Sequence, residues 1–297
     1  MSSETAVFAV GDRVQLSDTK GRKHTVVLEA GREFHTNKGA IAHDDLIGKP
    51  EGITVTSTGN YVYLALRPLL SDFVLSMPRG AAVIYPKDAA AIVGLADIYP
   101  GSVVAEAGVG SGALSCSLLR AIGDEGHLYS FERREEFAQV AQKNVTNFFG
   151  QRPENWTVKI GSFEVESNHL PAGSVDRIVL DMLAPWECVS AVTRLLRPGG
   201  VLVAYVATTT QMSKFVETVR LTKNWTDPIG QELIVRNWHL EGLAVRPSHK
   251  MQGHTGFLVV TRRLADGTVL PPRRIRPSKG LETTEDLDAS SDLGEVE

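Results

Sequence analysis

The stretch Glu106-Ala107-Gly108-Val109-Gly110-Ser111-Gly112-Ala113 constrains this chain more than any other feature. It follows an apolar run, Val103-Val104-Ala105, suited to a strand buried on both faces. It precedes an apolar helical segment, Ala113 to Ile122, that Gly123 stops. Glycines let the backbone turn sharply and approach a ligand, and the helix start offers unpaired N–H groups. Strand, glycine loop and helix in that order imply a nucleotide-cofactor pocket in an α/β sheet.

Taken alone, the loop leaves two cofactor classes open. Gly108, Gly110 and Ala113 also satisfy the dinucleotide pattern, and Glu132 follows at about the distance needed to hold a ribose. Three features shift the balance. Glu106 places a carboxylate beside the loop, where it can orient a cofactor ammonium indirectly but would repel a pyrophosphate. Gly112 adds a third glycine in alternation. Downstream, Asp181-Met182 ends an apolar run and Pro198-Gly199-Gly200 marks a turn, at the spacing of later sheet strands.

The rest of the chain fits around this unit. Strands are expected at 103–106, 128–132, 156–160, 177–181 and 201–205, with helices at 88–96, 113–122 and 134–148. That alternation predicts a doubly wound, mostly parallel sheet with right-handed crossovers. Two last strands, near 237–245 and 255–262, have no helix between them and predict an antiparallel hairpin at the sheet edge. Residues 1–70 carry short strands (13–16, 24–28, 52–56, 61–66) between glycine turns, a small β-domain for which a barrel is one closure. Residues 71–87 read as a link, 71–270 as the catalytic domain, and 271–297 as a disordered acidic tail.

Charge and cysteine usage exclude little but locate the chain. Seven acids against Lys279 give residues 277–297 a charge of −6, so the remainder carries +2 of the net −4. A mildly positive body permits nucleic-acid binding without demonstrating it. Cys116 and Cys188 match neither a disulfide framework nor a metal spacing, and no metal site is expected; His249 and His254 lack partners for one. With no leader-like segment and no apolar run of membrane-spanning length, the expected compartment is the cytoplasm.

The chain resembles the tRNA (adenine-58-N1)-methyltransferases, class I enzymes with a Rossmann-like fold that use S-adenosylmethionine. The likeness rests on Tyr85-Pro86-Lys87-Asp88, on Glu106 to Leu114 with Glu132, on Leu180-Asp181-Met182-Leu183-Ala184-Pro185-Trp186 and on Gly253-His254-Thr255-Gly256-Phe257-Leu258. Glu33-Phe34-His35-Thr36 and Gly39 to His43 extend it into the β-domain. The single-chain form is similar to the bacterial and archaeal enzymes, which implies a homotetramer and a tRNA substrate.

The resemblance also implies roles. Glu132 holds the cofactor's ribose hydroxyls, with Arg133 beside it. Gly108, Gly110, Ser111, Gly112, Ala113 and Leu114 line its methionine moiety, and Glu106 stands behind them. Asp181 faces both cofactor and target adenine, and Tyr85 flanks that base. Ser162 stands where relatives usually place an acid next to the cofactor adenine, so that contact falls to Ser162 or to Glu164. Lys87 and Asp88 read equally as helix caps or as site residues. Arg236, Arg246, Lys250, Arg262 and Arg263 read as a solvated face, Arg273, Arg274 and Arg276 as a better phosphate-binding cluster, and Trp186 and Trp238 as packing residues.

Overall fold

A computed structural model describes residues 7–80 and 82–271. The acidic tail and the Arg273, Arg274 and Arg276 cluster lie outside the described residues. The described residues begin with six short strands, β1 (Arg13–Asp18), β2 (Lys23–Val27), β3 (Glu33–Thr36), β4 (Gly39–Ala42), β5 (Ile53–Thr56) and β6 (Val62–Leu66). Four of them form an antiparallel sheet in the order β2-β1-β6-β5, while β3 and β4 pair as a hairpin. Along β6 the period of two is clear: Tyr63 and Ala65 are buried while Val62 and Leu64 face solvent. No pairing joins β2 to β5 among the described residues, so the barrel expected as one closure is an open sheet. A core of Phe8, Val14, Leu16, Leu28, Ile41, Leu46 and Tyr63 fills it.

The link at 71–87 contains a helix the sequence pattern did not suggest, α1 (Leu70–Ser76), whose seven residues bury Phe73 and Val74. Then come α2 (Pro86–Leu95), β7 (Val103–Ala107), α3 (Ala113–Ile122), β8 (His127–Glu132), α4 (Glu135–Phe149) and β9 (Trp156–Ile160). They are followed by α5 (Phe163–Glu166), β10 (Val175–Asp181), α6 (Val189–Leu195), β11 (Leu196–Val206) and α7 (Thr209–Thr222). The last strands among the described residues are β12 (Ile229–Gln231), β13 (Trp238–Glu241), β14 (Ala244–Pro247) and β15 (Phe257–Arg262). Pro86 opens α2 at the position where a missing N–H costs nothing.

Seven strands form the main sheet in the order β12-β15-β11-β10-β7-β8-β9. β7, β8, β9, β10 and β11 run parallel, and β15 is antiparallel to both β11 and β12. Successive residues of the central strands feed two different cores. Val104, Val179 and Val203 pack with α1, α2, α3 and α4. Ala105, Ile178, Leu180, Leu202 and Ala204 pack on the other face with α6 and α7. Both faces are therefore covered, as a doubly wound sheet requires.

The edge differs from expectation. The antiparallel pair is present, but the partner of β15 is the three-residue β12 rather than residues 237–245. Those residues contribute instead to a separate hairpin, β13 with β14. Pro198-Gly199-Gly200 is also not a turn before a strand: it lies within β11. There the pairing with β10 jumps from Val175–Leu196 to Arg177–Val201, a bulge that absorbs the proline and glycines.

Candidate active site

The carboxyl ends of β7, β8, β10 and β11 converge on a two-lobed cavity. One lobe, about 570 Å³, is lined by Gly108, Phe131, Glu132, Arg133, Gly161, Phe163, Asp181 and Met182. The other, about 400 Å³, is lined by Ile84, Tyr85, Gly108, Gly110, Glu132, Asp181, Tyr205 and Thr255. Gly108, Glu132, Arg134, Asp181, Met182 and Leu183 border both lobes. β7 is flanked by β8 on one side and β10 on the other, so the crossovers diverge there and leave a crevice, the usual ligand site of such sheets.

Gly108 is obligatory at its position. Its φ is +90°, and a Cβ would stand 1.7 Å from the Asp181 carbonyl oxygen. The absence of a side chain lets the loop lie directly against the end of β10. Glu132, at the end of β8, is 5% exposed, and its carboxylate is aimed by backbone donors. The Gly110 N–H donates to Oε2 at 3.1 Å and the Arg134 N–H to Oε1 at 3.1 Å. Such a fixed carboxylate still has lone pairs for a ribose diol.

Asp181 is the last residue of β10, registered beside Tyr205 of β11. Its carboxyl pKa is pushed up to about 7 by burial and by the negative charges of Glu106 and Glu132. Glu106 is likewise raised to about 7, chiefly by burial. Its Oε1 accepts from the Ser115 hydroxyl and, at 2.5 Å, from that of Ser130, which in turn accepts from Trp156 Nε1 at 2.7 Å. Glu106 Oε2 finds no hydrogen-bond partner among the described residues. Three mutually repelling carboxyls around one loop favour a cationic ligand and oppose a pyrophosphate. A sulfonium with an adjacent ammonium fits this field, and Glu132 fits its ribose.

The remaining expected residues fall into two groups. Arg133 borders the first lobe and pairs with Glu164 at 3.2 Å. Ser162 precedes α5 between two lining residues, Gly161 and Phe163, without itself lining the cavity. Ser111, Gly112, Ala113 and Leu114 are not brought to the cavity wall. The Ser111 hydroxyl accepts from the Gly80 N–H at 3.2 Å, and its carbonyl accepts from Asn144 at 2.9 Å. At Gly112 a Cβ would press on the Ala141 carbonyl oxygen at 3.1 Å, so the third glycine admits α4. Ala113 borders a separate groove between α1, α2 and α3.

Sequence reasoning missed Tyr205, Met182 and Gln211 as wall residues. Tyr205 occupies the strand-end position next to Asp181, the same kind of signal that singled out Asp181 itself. Gln211 belongs to a capping box with Thr208 at the start of α7 and donates to the Leu183 carbonyl at 2.9 Å. Arg262 is exposed, as read, while donating to the Gly199 carbonyl; Arg263, read as solvated with it, is buried and donates to the Thr193 carbonyl. Trp186 packs in the second core as expected, whereas Trp238 is 56% exposed.

Comparison with known proteins agrees with this geometry. A family described as TrmI-like N-terminal matches residues 7–55, and one described as the tRNA methyltransferase complex GCD14 subunit matches residues 60–242. The chain is 36% identical to the tRNA (adenine(58)-N(1))-methyltransferase TrmI of Thermus thermophilus, across 84% of this chain and 95% of that protein. It is 30% identical to the tRNA (adenine(57)-N(1)/adenine(58)-N(1))-methyltransferase TrmI of Methanocaldococcus jannaschii, across 83% and 93%. The solved structure of tRNA (m1A58) methyltransferase TrmI from Aquifex aeolicus superposes with a TM-score of 0.76 at 26% identity, across 88% of this chain and all of that one. An S-adenosylmethionine-dependent O-methyltransferase from Thermotoga maritima gives 0.82 at 27% identity, across 89% and 97%. This chain belongs to the TrmI family of S-adenosylmethionine-dependent tRNA (adenine-58-N1)-methyltransferases, with the class I α/β fold.

Proposed function

We propose that the chain transfers a methyl group from S-adenosylmethionine to N1 of adenine 58 in the T-loop of tRNA. The observation that carries this reading is one carboxyl, Asp181, at the junction of a ribose-holding lobe and a tyrosine-walled lobe. Bound in the first lobe, S-adenosylmethionine supplies a methyl group already activated by its sulfonium. Transfer by in-line displacement leaves the protein to position and to stabilise charge.

Glu132 holds the ribose, Gly108 presents backbone where no side chain fits, and the Gly110 N–H aims the Glu132 carboxylate. Glu106 contributes negative charge from behind the loop. Adenine N1 carries an in-plane lone pair, so no general base is needed before attack. Asp181 accepts a hydrogen bond from the exocyclic amino group, which orients the base and offsets the positive charge growing on its ring. Tyr85, directly before α2, flanks the base in the second lobe. The nucleotide has to leave its stack to reach this depth.

Three further readings accompany this one. The division into a β-domain at 1–70, a catalytic domain at 71–270 and a tail at 271–297 places both lobes in the catalytic domain. Assembly as a homotetramer is supported by the β13–β14 hairpin, where Trp238, Leu240, Leu243 and Val245 all face solvent in the single chain. Contiguous apolar exposure of this kind marks an interaction surface. No helix among the described residues is long and apolar enough to cross a membrane, and we assign the chain to the cytoplasm.

The test is transfer of labelled methyl from S-adenosylmethionine to unmodified tRNA transcripts. Label in the RNA fraction supports the reading; label only in protein or a small molecule overturns it.

A further inference from the structure

Two sequence motifs without an assigned role, Lys87-Asp88 after Tyr85 and Thr255 in Gly253-His254-Thr255-Gly256, meet in one buried network. Asp88 is fully buried near the start of α2. Lys87 Nζ donates to Asp88 Oδ1 at 2.7 Å, to the Leu233 carbonyl at 2.8 Å and to Thr255 Oγ1 at 2.6 Å. Thr255 Oγ1 donates to the second Asp88 oxygen at 2.7 Å. All three ammonium protons and both carboxylate oxygens are therefore occupied, across more than 160 residues of chain.

The network sits directly behind the second lobe. Tyr85, separated from Lys87 by Pro86 alone, lines that lobe, as does Thr255. The backbone carbonyl of Thr255 accepts the Tyr205 hydroxyl at 2.8 Å. Next to it, Gly256 has no side chain because the Tyr205 ring lies where one would be: a Cβ would stand 2.4 Å from Cζ. On the other side, His254 meets Glu232 at 2.6 Å and the carbonyl of Ala207, another wall residue, at 3.0 Å. Residues 254–256 are thus pegged to α2, to the end of β11 and to the chain before β13. A buried ion pair is a poor source of net stability, because desolvation offsets its attraction. What a saturated one supplies is a fixed geometry.

We infer that Lys87, Asp88 and Thr255 are positioning residues that hold the Tyr85 and Tyr205 walls of the second lobe at a set separation, and so fix the methyl-accepting base. This rests on the reading of that lobe as the acceptor site. None of the network's hydrogen bonds involves Glu132, whose carboxylate is held by the Gly110 and Arg134 N–H groups, so its loss acts chiefly on the acceptor.

The experiment compares wild type with Thr255→Val, Thr255→Ser and Gly256→Ala, measuring kcat and KM on a tRNA transcript, Kd for S-adenosylmethionine, and Tm. Valine keeps the shape of threonine but removes the hydroxyl. The expected result is a fall in kcat/KM for tRNA of about 10- to 100-fold, the scale of an ångström-sized misplacement, with cofactor Kd within about twofold. Thr255→Ser restores turnover, because the hydroxyl returns. Gly256→Ala, which displaces the Tyr205 ring but leaves the ion pair intact, reproduces the Thr255→Val pattern. Thr255→Val turning over like wild type overturns the inference; so does cofactor affinity falling in step with tRNA turnover, which marks a merely structural role. Wild-type protein that methylates no tRNA removes the acceptor reading itself, and this inference with it.

Discussion

Replacing Asp181 by asparagine isolates the charge of the group placed between the two lobes. Asparagine keeps the shape and one carbonyl acceptor but cannot offset a cation. A full charge at about 4 Å from the growing ring charge, at an effective dielectric near 20, is worth about 4 kcal/mol. The retained neutral hydrogen bond recovers about 1 kcal/mol of that. A loss of about 2–4 kcal/mol is expected, or roughly 30- to 1,000-fold in kcat. The pH dependence provides an independent check. With the Asp181 carboxyl raised to about 7 by burial, Glu106 and Glu132, its protonated form predominates below that pH and the active carboxylate above it. Wild-type kcat/KM therefore rises with pH through about 7, a rise reduced in the variant, where Glu106 alone is left to titrate near 7. The assay is single-turnover methyl transfer to a tRNA transcript between pH 5.5 and 9, with cofactor binding measured by calorimetry. A variant within about threefold of wild type, or one keeping the full wild-type rise, would refute the assignment.

Three other perturbations follow from the same geometry. Glu132→Gln removes the charge that the Gly110 and Arg134 N–H groups aim into the cavity. It should weaken S-adenosylmethionine binding by roughly 10- to 100-fold in calorimetry without altering the circular dichroism spectrum. Glu106 is raised from an ordinary 4.5 to about 7, so the folded state holds a proton that the unfolded chain releases. Its contribution falls by about 3 kcal/mol as pH rises from about 4.5 through 7. Urea unfolding at pH 5.5 and 8 should show wild type losing stability relative to Glu106→Gln; a pH-independent difference between the two would contradict the burial argument. Charged residues on the exposed hairpin, Leu240→Asp with Leu243→Asp, should reduce the assembly size seen by light scattering, and an unchanged mass would exclude that surface as the contact.

How much was legible in the chain depended on whether the cause was local. The glycine loop, the apolar run before it and the apolar helix after it are neighbours in sequence, so β7 and α3 were read within a residue of their ends. Glu132 and Asp181 stand out locally as polar residues closing apolar strands, while their roles come from the family resemblance. The role of Gly112 was not readable, since it depends on Ala141 and Val145, about thirty residues away. The same holds for Ser111, whose hydroxyl is held by Gly80. β12 escaped notice because Ile229-Gly230-Gln231 offers three residues and no alternation; its pairing with β15 is imposed by the sheet edge. Pro198-Gly199-Gly200 carries a turn signal, yet the parallel neighbour β10 draws it into a bulge. Lys87 and Asp88 read equally as caps or site residues, Thr255 stands out only within its motif, and the tertiary fold alone joins the three.

We propose that the second lobe receives adenine 58 of tRNA and that Asp181 presents it to the methyl donor. The most direct measurement is nuclease mapping with mass spectrometry of a transcript methylated by the wild-type protein, beside a transcript carrying guanine at position 58. N1-methyladenosine is expected at position 58 of the first transcript, with no methyl transfer to the second. Methylation at another nucleotide or at another atom of that adenine, or equal transfer to both transcripts, would contradict it.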